Sequence, residues 1–508
     1  MTAIPEILPN DEHNAKLIAN VHPPDWTNPE PSGRYNLVVI GAGTAGLITA
    51  AVAAGLRAKV ALIERHLMGG DCLNVGCVPS KGLIRASRIV TEAHRSAEFG
   101  LGVMSGAEVD FGAAMARMRR IRAQISAVDS ARRFRDELGV DVFLGDAHFA
   151  GPDAVEVGGQ TLRFQRAVVA TGARAVAPPI EGLAEAGALT NETLFELTER
   201  PRRFAVIGGG PIGCEMAQAF RRLGSEVFLL DTAPHILPRE DADAAGILQN
   251  RFRAEGIHLE LGCRIEKVAV RNGEKRLRVS GADGGAKEIT VDEILVAVGR
   301  APNVEGLGLE AAGVEIDPRR GVVVDDTLRT RNRRIYAAGD VCMNWKFTHA
   351  ADAAAKIAVQ NALFFPTKKL SSLVMPWCTY TDPEVAHVGM YAHEAAERGV
   401  EIDTFEVPLA EVDRAVADGE EDGFVKVHVK KGSDRILGAT IVAAHAGEMI
   451  SEVTLAMVGK LGLGTILNTI HPYPTQAEAI KRVAGAYTRT RATPRVLRIL
   501  EAWMAFRR

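Results

Sequence analysis

The sequence has little of what marks a secreted, membrane-spanning or nucleic-acid-binding protein. Six cysteines in 508 residues are too few for a disulfide scaffold. No apolar run reaches the ~18 residues that a membrane-spanning helix needs, and the first residues, MTAIPEILPNDEH, lack the apolar core of a secretory signal. The 60 Lys and Arg nearly balance the 63 Asp and Glu, so the net charge is −3 and no basic surface for nucleic acid is indicated. We therefore expect a cytoplasmic protein in a reducing compartment that binds neither nucleic acid nor a membrane.

The composition is that of a large globular chain with many turns. Hydrophobic residues make up 47% and charged residues 24%, and the length suggests about three domains. Aromatic residues reach only 5%, whereas the 50 glycines indicate tight turns and close backbone approaches. Residues 1–33 hold six of the 23 prolines without clear periodicity. This segment is predicted to be an extension that is ordered only if it docks on the body.

A Gly-rich pattern of strand, helix and strand occurs twice, as NLVVIGAGTAGLITAAVAAGLRAKVALIE (36–64) and RFAVIGGGPIGCEMAQAFRRLGSEVFLLD (203–231). In both copies an acidic residue follows the first glycine of GxGxxG by 23 positions, and an alanine, Ala50 or Ala217, permits close packing of helix on sheet. The fingerprint residues are Gly41, Gly43, Gly46 and Glu64 in the first copy and Gly208, Gly210, Gly213 and Asp231 in the second.

Each copy predicts a dinucleotide site. The glycines let the backbone approach a pyrophosphate at the helix start, and the acid accepts from the ribose hydroxyls. Asp231 would repel a 2′-phosphate, which favours NADH over NADPH in the second site, unless the nearby arginines Arg221, Arg222 and Arg239 offset it.

A pair of cysteines follows the first copy closely, in GGDCLNVGCVPSKGLIRASR. Cys72 and Cys77 could be unrelated buried thiols or half of a zinc site, but the other cysteines are scattered singly (Cys214, Cys263, Cys342 and Cys378) and zinc commonly takes CxxC-type pairs. The third interpretation is a redox dithiol, because a helix start and Lys81 both favour the thiolate. We predict the redox pair and no metal-binding site.

The chain changes character from about residue 372, where strand-like alternation (FVKVHVKKGSDRILGATIV) is followed by helical patterns. This predicts an α+β domain. The last residues, TPRVLRILEAWMAFRR, form an amphipathic pattern, which we interpret as a helix that docks on the body or on a partner subunit rather than on a membrane.

These motifs together with ATG, AVGRAPN, YAAGD and HPYPTQAE, in this order over about residues 36–490, resemble the pyridine nucleotide–disulfide oxidoreductases with a CxxxxC centre. The resemblance implies an α/β fold with two Rossmann-like dinucleotide-binding domains, for FAD and NAD(P), and an α+β C-terminal dimerisation domain. The predicted boundaries are an N-terminal extension (1–33), the FAD domain (34–185 and 305–371), the NAD(P) domain (186–304), the dimerisation domain (372–490) and a C-terminal tail (491–508).

The resemblance also implies roles for single residues. Cys77 would stack against the flavin, Cys72 would face the acceptor, and Lys81 would lie at the flavin edge and pair with Glu215. Further implied cofactor contacts are Asp340 at the ribityl chain, the backbone from Lys346 to His349, Ala147, Thr171 and Gly172 for FAD, and Gly299 for the nicotinamide nucleotide. Electrons would pass from NAD(P)H through FAD and the cysteine pair to an acceptor.

The sequence departs from the family pattern near the C-terminus. Members that reduce disulfides have His-Pro-Thr there, whereas registering on Pro-Thr places Tyr473 in the position of the base and Glu478 after it. A tyrosine of ordinary pKa near ~10 is poorly matched to proton transfer at neutral pH. His471 is either a structural histidine or a shifted base.

A tyrosine in this position is similar to mercuric reductase, but the sequence has no CxxC motif and no cysteine after Cys378. A soft metal ion would therefore have to reach Cys72 and Cys77 directly. The first hypothesis is a mercuric reductase-like enzyme that reduces Hg²⁺, Cu²⁺ or another small acceptor. The alternatives are a dihydrolipoamide dehydrogenase-type enzyme and a flavin-bound redox sensor. The resemblance further implies a homodimer with shared active sites, because Tyr473 and Glu478 would need to reach the other subunit's cysteines.

Overall fold

The computed structural model describes residues 4–102, 108–281 and 284–508. The chain divides into two compact units, the first formed by Met1–Thr232 and Glu260–Leu373 and the second by Ala233–Leu259 and Val374–Arg508. The finer domain boundaries given above stay a prediction.

The first unit contains both Gly-rich repeats. Its helices are α1 (Glu12–Val21), α2 (Thr44–Gly55), α3 (Gly70–Asn74), α4 (Cys77–His94), α5 (Phe111–Ile125), α6 (Ala131–Asp136), α7 (Pro211–Arg222) and α9 (Thr348–Leu363). Its strands are β1 (Arg34–Ile40), β2 (Val60–Glu64), β3 (Asp141–Leu144), β4 (Ala147–Gly151), β5 (Ala154–Val157), β6 (Gln160–Val169), β7 (Ala173–Ala175), β8 (Arg203–Ile207), β9 (Glu226–Asp231), β11 (Arg264–Arg271), β12 (Glu274–Ser280), β13 (Ala286–Val291), β14 (Glu293–Val296), β15 (Arg300–Pro302), β16 (Ile316–Asp317), β17 (Gly321–Val322) and β18 (Ile335–Ala337). The short strand β10 (His258–Leu261) runs across the boundary of the two units.

Both predicted repeats fold as strand, helix and strand. The first builds a sheet in which β3, β2, β1 and β6 are parallel neighbours, β18 adds parallel to β6, and β4 and β5 form an antiparallel extension. The second builds a parallel arrangement of β9, β8 and β14. In β1 the run Leu37–Ile40 is buried throughout, as expected for a parallel strand that is covered on both faces. The fold class predicted for this part of the chain is confirmed.

The second unit is α+β, also as predicted. Its helices are α8 (Ala242–Ala254), α10 (Ala392–Glu397), α11 (Asp413–Asp418), α12 (Ala446–Val458), α13 (Leu463–Asn468), α14 (Glu478–Thr490) and α15 (Pro494–Phe506), and its strands are β19 (Pro376–Thr379), β20 (Glu384–Gly389), β21 (Ile402–Pro408), β22 (Phe424–Lys430) and β23 (Ile436–Ala443). The five strands form an antiparallel sheet in the order β19–β20–β23–β22–β21. Valines of β22 and the buried face of α12 belong to one apolar core.

Both ends of the chain contain a helix. The N-terminal extension is not irregular throughout: Asp11 caps α1, and Leu17 and Val21 are buried on this helix. The apolar stripe is short and is interrupted by the buried Asn14, which hides the periodicity. At the other end, every side chain from 491 to 508 is exposed, so α15 does not dock on the body of its own chain. Docking on a partner subunit stays a prediction.

Within the described residues, no helix combines the length and the apolar character that crossing a bilayer requires.

Candidate active site

The glycines of both repeats sit where a side chain does not fit. Gly41 and Gly208 have φ of +97° and +110°, a region that L side chains rarely adopt. A Cβ on Gly46 would lie 1.8 Å from Gly41 O, and one on Gly213 would lie 1.8 Å from Gly208 O. Each helix can therefore begin close to its strand only because these positions are glycine.

The helix starts leave room for a phosphate. Gly43 caps α2 and Gly210 caps α7, and neither gives a side-chain hydrogen bond to the first turn. The backbone N–H groups of these turns and the helix dipole are suited to a pyrophosphate. Both loops thus fit the dinucleotides that the sequence predicts.

The two acidic residues occupy equivalent places at the ends of β2 and β9. Glu64 Oε2 accepts from Ala42 N at 2.7 Å, and Asp231 Oδ2 accepts from Gly209 N at 2.5 Å. Each carboxylate is thereby fixed beside its glycine loop, and burial raises the pKa of Glu64. This is the place from which a carboxylate can accept from ribose hydroxyls.

Three further residues of the predicted FAD site, and Gly299 of the predicted nicotinamide-nucleotide site, lie on the first unit. Thr171 Oγ1 donates to Asn303 O at 2.7 Å, and Gly172, at φ +68°, accepts from Asn303 N at 3.0 Å. Ala147 begins β4 and is nearly buried, and Gly299 O accepts from Val176 N at 3.2 Å.

Asp340 follows β18, and its partner is Arg300, whose Nε lies 3.5 Å from Asp340 Oδ2. Burial raises the pKa of Asp340. A partly buried carboxylate of this kind suits the hydroxyls of a ribityl chain. Nearby, Lys346 Nζ donates to Asp340 O at 2.8 Å, and the exposed His349 stacks on Phe347.

The cysteine pair lies directly beside the first glycine loop. Cys72 is in α3 and Cys77 is the first residue of α4, after the cap residue Gly76. Gly69 N donates to Ala42 O at 2.8 Å, which joins the cysteine segment to the loop that fits a dinucleotide.

Both cysteines are free thiols and interact with each other. The hydrogen bond from Cys72 is the largest cause that lowers the pKa of Cys77 to about 6, and Thr348, whose Oγ1 lies 3.2 Å from Cys77 Sγ, and Lys81 act in the same direction. The same hydrogen bond, together with burial, raises the pKa of Cys72. Cys77 is therefore the thiolate at neutral pH, which is the reactive form.

Lys81 connects the cysteine helix to the second repeat. Its Nζ donates to Glu215 Oε2 at 2.8 Å, so α4 and α7 are joined by an ion pair whose carboxylate is buried. A buried carboxylate requires such a partner. The pair thus links the helix of the second predicted nucleotide loop to the helix that begins at Cys77.

Two other cysteines bind backbone carbonyls: Cys214 Sγ donates to Gly209 O in the second glycine loop, and Cys342 Sγ donates to Gly339 O next to Asp340. Cys214 and Cys263 are buried separately, and no cluster of three or more His, Cys, Asp or Glu side chains suited to a metal ion occurs among the described residues.

The predicted residues of the C-terminal segment belong to the second unit. Tyr473 is 69% exposed, and its Oη donates to Asp413 Oδ2 at 2.9 Å, which raises its pKa. The His471 side chain is 6% exposed and lies 2.9 Å from Glu452 Oε1. Glu478 begins α14, where its Oε1 accepts from Arg482 at 3.3 Å.

Sequence reasoning missed several residues that hold the cysteine segment. Arg300 pairs with Asp71, next to Cys72, as well as with Asp340. The sequence signal that could have identified Arg300 is its place within the motif AVGRAPN. Arg122 Nη1 donates to Asn74 O at 2.7 Å, and no local pattern marks this contact, since 48 residues separate the two.

Comparison with known proteins places this geometry in context. The model of the pyridine nucleotide-disulphide oxidoreductases matches residues 35–355, and the model of their dimerisation domain, which supports a homodimer, matches residues 375–484. Mercuric reductase of Bacillus cereus is 36% identical over 454 residues, which cover 89% of this chain and 72% of that protein. Dihydrolipoyl dehydrogenase of Chlamydia muridarum is 33% identical over 453 residues, covering 87% and 95%.

Solved structures are similar as well. The Cu(II) complex of the HOCl-induced flavoprotein disulfide reductase RclA from Escherichia coli matches with a TM-score of 0.80 and 28% identity, covering 90% of this chain and all (100%) of that one.

Proposed function

This chain belongs to the pyridine nucleotide-disulphide oxidoreductase family, and from that premise we propose that it passes electrons from NADH through FAD and the Cys72–Cys77 pair to a metal ion such as Hg(II) or Cu(II). The chain is an FAD-dependent oxidoreductase that uses a pyridine nucleotide and is mercuric reductase-like. The acceptor, the preference for NADH and the roles of single residues are the proposed part.

Bound FAD supplies the two-electron transfer between a nicotinamide and a disulfide. Gly41, Gly43, Gly46 and Glu64 would hold its pyrophosphate and ribose, and Asp340 would hold its ribityl chain. Lys81, kept in place by Glu215, would place a positive charge at the flavin edge. On the acceptor side, Cys72 and the Cys77 thiolate would bind the metal ion, since soft thiolate ligands suit Hg and Cu.

The observation that carries the choice of acceptor is Tyr473. Its hydrogen bond to Asp413 raises its pKa above the ordinary value, so the phenol keeps its proton at neutral pH. Dithiol–disulfide exchange needs a base that takes a proton from the exchange thiol. Reduction of a thiolate-bound metal ion transfers electrons without that proton. NADH and Hg(II) give NAD⁺, H⁺ and Hg(0), and NADH and two Cu(II) give NAD⁺, H⁺ and two Cu(I).

The relatives point the same way. Several are mercuric reductases, and RclA was solved as a Cu(II) complex.

For the nucleotide, Asp231 beside the second glycine loop supports NADH, because its charge opposes a 2′-phosphate. Of the arginines that could offset this charge, Arg222 is buried in α7 and Arg221 Nη1 donates to Ser225 O.

A second candidate is dithiol–disulfide exchange of the dihydrolipoyl dehydrogenase type. The His471–Glu452 pair favours it, because a histidine held by a carboxylate is the usual base for such exchange. The low exposure of His471 instead suits a structural role, which places this candidate second.

The test is an anaerobic NADH titration of the FAD-loaded protein, followed by turnover with Hg(II), Cu(II) and lipoamide. We expect long-wavelength charge-transfer absorbance at two-electron reduction, lost in Cys77→Ala and kept in the control Cys378→Ala. Turnover should be fast with a metal ion and slow with lipoamide. Comparable rates with lipoamide would support the second candidate, and slow turnover with every acceptor would support a redox sensor.

A further inference from the structure

We propose that the N-terminal helix positions the redox loop, acting through Arg122. The loop is the segment from Cys72 to Cys77, and the contacts that hold it, made by Asp11, Asn14, Arg119 and Arg122, are here called the clamp. The inference rests on the proposed redox role of the cysteine pair. Two residues of the clamp, Asp11 and Asn14, precede the family match, which begins at residue 35.

Arg122 lies between the helix α1 and the loop. Its Nη1 donates to Asn74 O at 2.7 Å, and its Nη2 donates to Asn14 Oδ1 at 2.6 Å. Arg122 is 3% exposed and Asn14 is 1% exposed, so water does not replace either bond. Asn74 lies between the two cysteines in the chain. By binding the Asn74 carbonyl oxygen, the Arg122 guanidinium fixes the backbone of the loop, and this backbone sets how closely the two sulfurs can approach.

The clamp is held from the side of α1 as well. Asp11 caps α1 by accepting from Asn14 N at 2.8 Å, and its other oxygen accepts from Arg119 Nε at 2.6 Å. Asn14 Nδ2 donates to Pro9 O at 2.8 Å, which fixes the orientation of its amide. The N-terminal extension thus determines the position of the Asn14 oxygen that accepts from Arg122.

The buried Arg122 guanidinium needs both of its hydrogen-bond acceptors. Both of its hydrogen-bond acceptors are neutral oxygens, and burial lowers its pKa to about 10, which leaves it charged at neutral pH. A buried guanidinium that loses an acceptor is costly. The position of Asn14 and the position of the loop are therefore coupled through one side chain.

The N-terminal extension also holds the residues that come just before the loop. Met68 N donates to Val21 O at 3.2 Å, and His22 Nδ1 hydrogen-bonds His66 O. Asn74 Nδ2 then donates back to Met68 O at 3.1 Å and to Gly70 O at 2.9 Å. The N-terminal extension thus contacts the start of the cysteine segment directly, and it contacts the middle of that segment through Arg122.

This arrangement should favour the approach of the two sulfurs. A thiol pair closes to a disulfide more readily when the chain keeps the sulfurs in reach, which is measured as an effective concentration against glutathione. The exchange is balanced: the Cys72–Cys77 disulfide and two glutathione thiols give the dithiol and one glutathione disulfide. Loss of the clamp should shift this equilibrium toward the dithiol.

The experiment equilibrates the FAD-loaded enzyme anaerobically with glutathione redox buffers and measures the oxidised fraction of the pair by thiol trapping. We expect Asn14→Ala and Arg122→Met each to lower the effective concentration at least about threefold. The control is Asn20→Ala, on the same helix, which loses only the 2.9 Å bond to Ser126 Oγ and should not change it. Should Arg122→Met fail to fold, Arg122→Lys takes its place.

The double variant separates positioning from general stability. Because Asn14 acts through Arg122, adding Asn14→Ala to Arg122→Met should change the equilibrium little further. The proposal is overturned if Asn14→Ala lowers the melting temperature but leaves the equilibrium unchanged, if the shift favours the disulfide, or if the two effects add fully. A wild-type pair that shows no glutathione-dependent titration would instead contradict the proposed function.

Discussion

The reactivity of Cys77 depends on two neighbouring residues of opposite charge. Lys81 is among the groups that lower the pKa of Cys77, and Glu215 opposes it. Because the pKa of Cys77 is lowered, mainly by the hydrogen bond from Cys72, this residue is mostly thiolate at pH 7, whereas an ordinary cysteine is largely thiol there. The two members of this ion pair should therefore shift the titration of Cys77 in opposite directions.

We expect Lys81→Met to move the pH midpoint of Cys77 alkylation by iodoacetamide upward, since the thiolate loses a neighbouring cation. Glu215→Gln should move it downward, and each shift should be on the order of 0.5 to 1 pH unit. The measurement is the alkylation rate as a function of pH. Arg85→Met, which removes an exposed cation one helical turn further along α4, is the matched control. Shifts of the same sign in both variants would show that the ion pair acts by holding the fold, not by its charges.

Asp231 should decide between the two nicotinamide nucleotides. Asp231→Ser removes the charge that opposes a 2′-phosphate, so the ratio of kcat/KM for NADPH over NADH should rise roughly tenfold or more, which corresponds to about 1.4 kcal/mol. Glu226→Ser removes a carboxylate from the other end of β9 and should leave the ratio unchanged. An unaltered ratio in Asp231→Ser would mean that this carboxylate does not face the ribose.

At the scale of elements, each proposed nucleotide site requires one helix to begin close to the strand that precedes it. Gly46→Ala would place a Cβ 1.8 Å from Gly41 O, so α2 would have to move away from β1. We expect this variant to lose FAD and to be destabilised by about 1–3 kcal/mol or more. Gly213→Ala has the same clash with Gly208 O in the second repeat. We expect Gly213→Ala to keep its bound FAD and the visible absorbance of FAD, but NADH should no longer reduce the flavin.

Gly55→Ala is the control for Gly46→Ala, because it lies on the same helix and no atom stands within 4 Å of its added Cβ. It should bind FAD normally and be as stable as the wild type or slightly more so. FAD content and thermal unfolding measure both effects. Equal FAD binding by Gly46→Ala and Gly55→Ala would contradict the assignment of the first loop.

The elements that could be predicted from the sequence are those whose causes are local. Each repeat has its glycines, its apolar strands and its terminal acid within about 30 residues. The type and order of the elements in both repeats could therefore be predicted correctly. Helix α1 was missed because the buried Asn14 interrupts its apolar stripe and because its support comes from Arg119 and Arg122, more than 100 residues away. The pairing of Lys81 with Glu215 spans 134 residues and came only from the family resemblance.

At the scale of the whole molecule, the family resemblance implies that the C-terminal segment acts together with the partner subunit. Tyr473 is 69% exposed, and Glu478 Oε2 is a buried oxygen that has no hydrogen-bond partner among the described residues. The family's dimerisation domain covers both residues. A homodimer in which each subunit lends this segment to the other's cysteines would give both side chains a role.

A mixed dimer tests whether the site is shared. Cys72→Ala should abolish acceptor reduction, and Tyr473→Phe should lower kcat/KM for the metal ion by about tenfold or more, since the phenol is lost. In a dimer of one subunit of each kind, one site would combine both defects. The other site would have an intact cysteine pair and an intact Tyr473, provided that these come from different subunits. Such dimers, isolated with two affinity tags, should recover about half of the wild-type rate.

If the cysteines and Tyr473 of one site belonged to the same chain, each site would carry one defect. The mixed dimer would then stay at the average of the two impaired homodimers, and the shared site would be refuted.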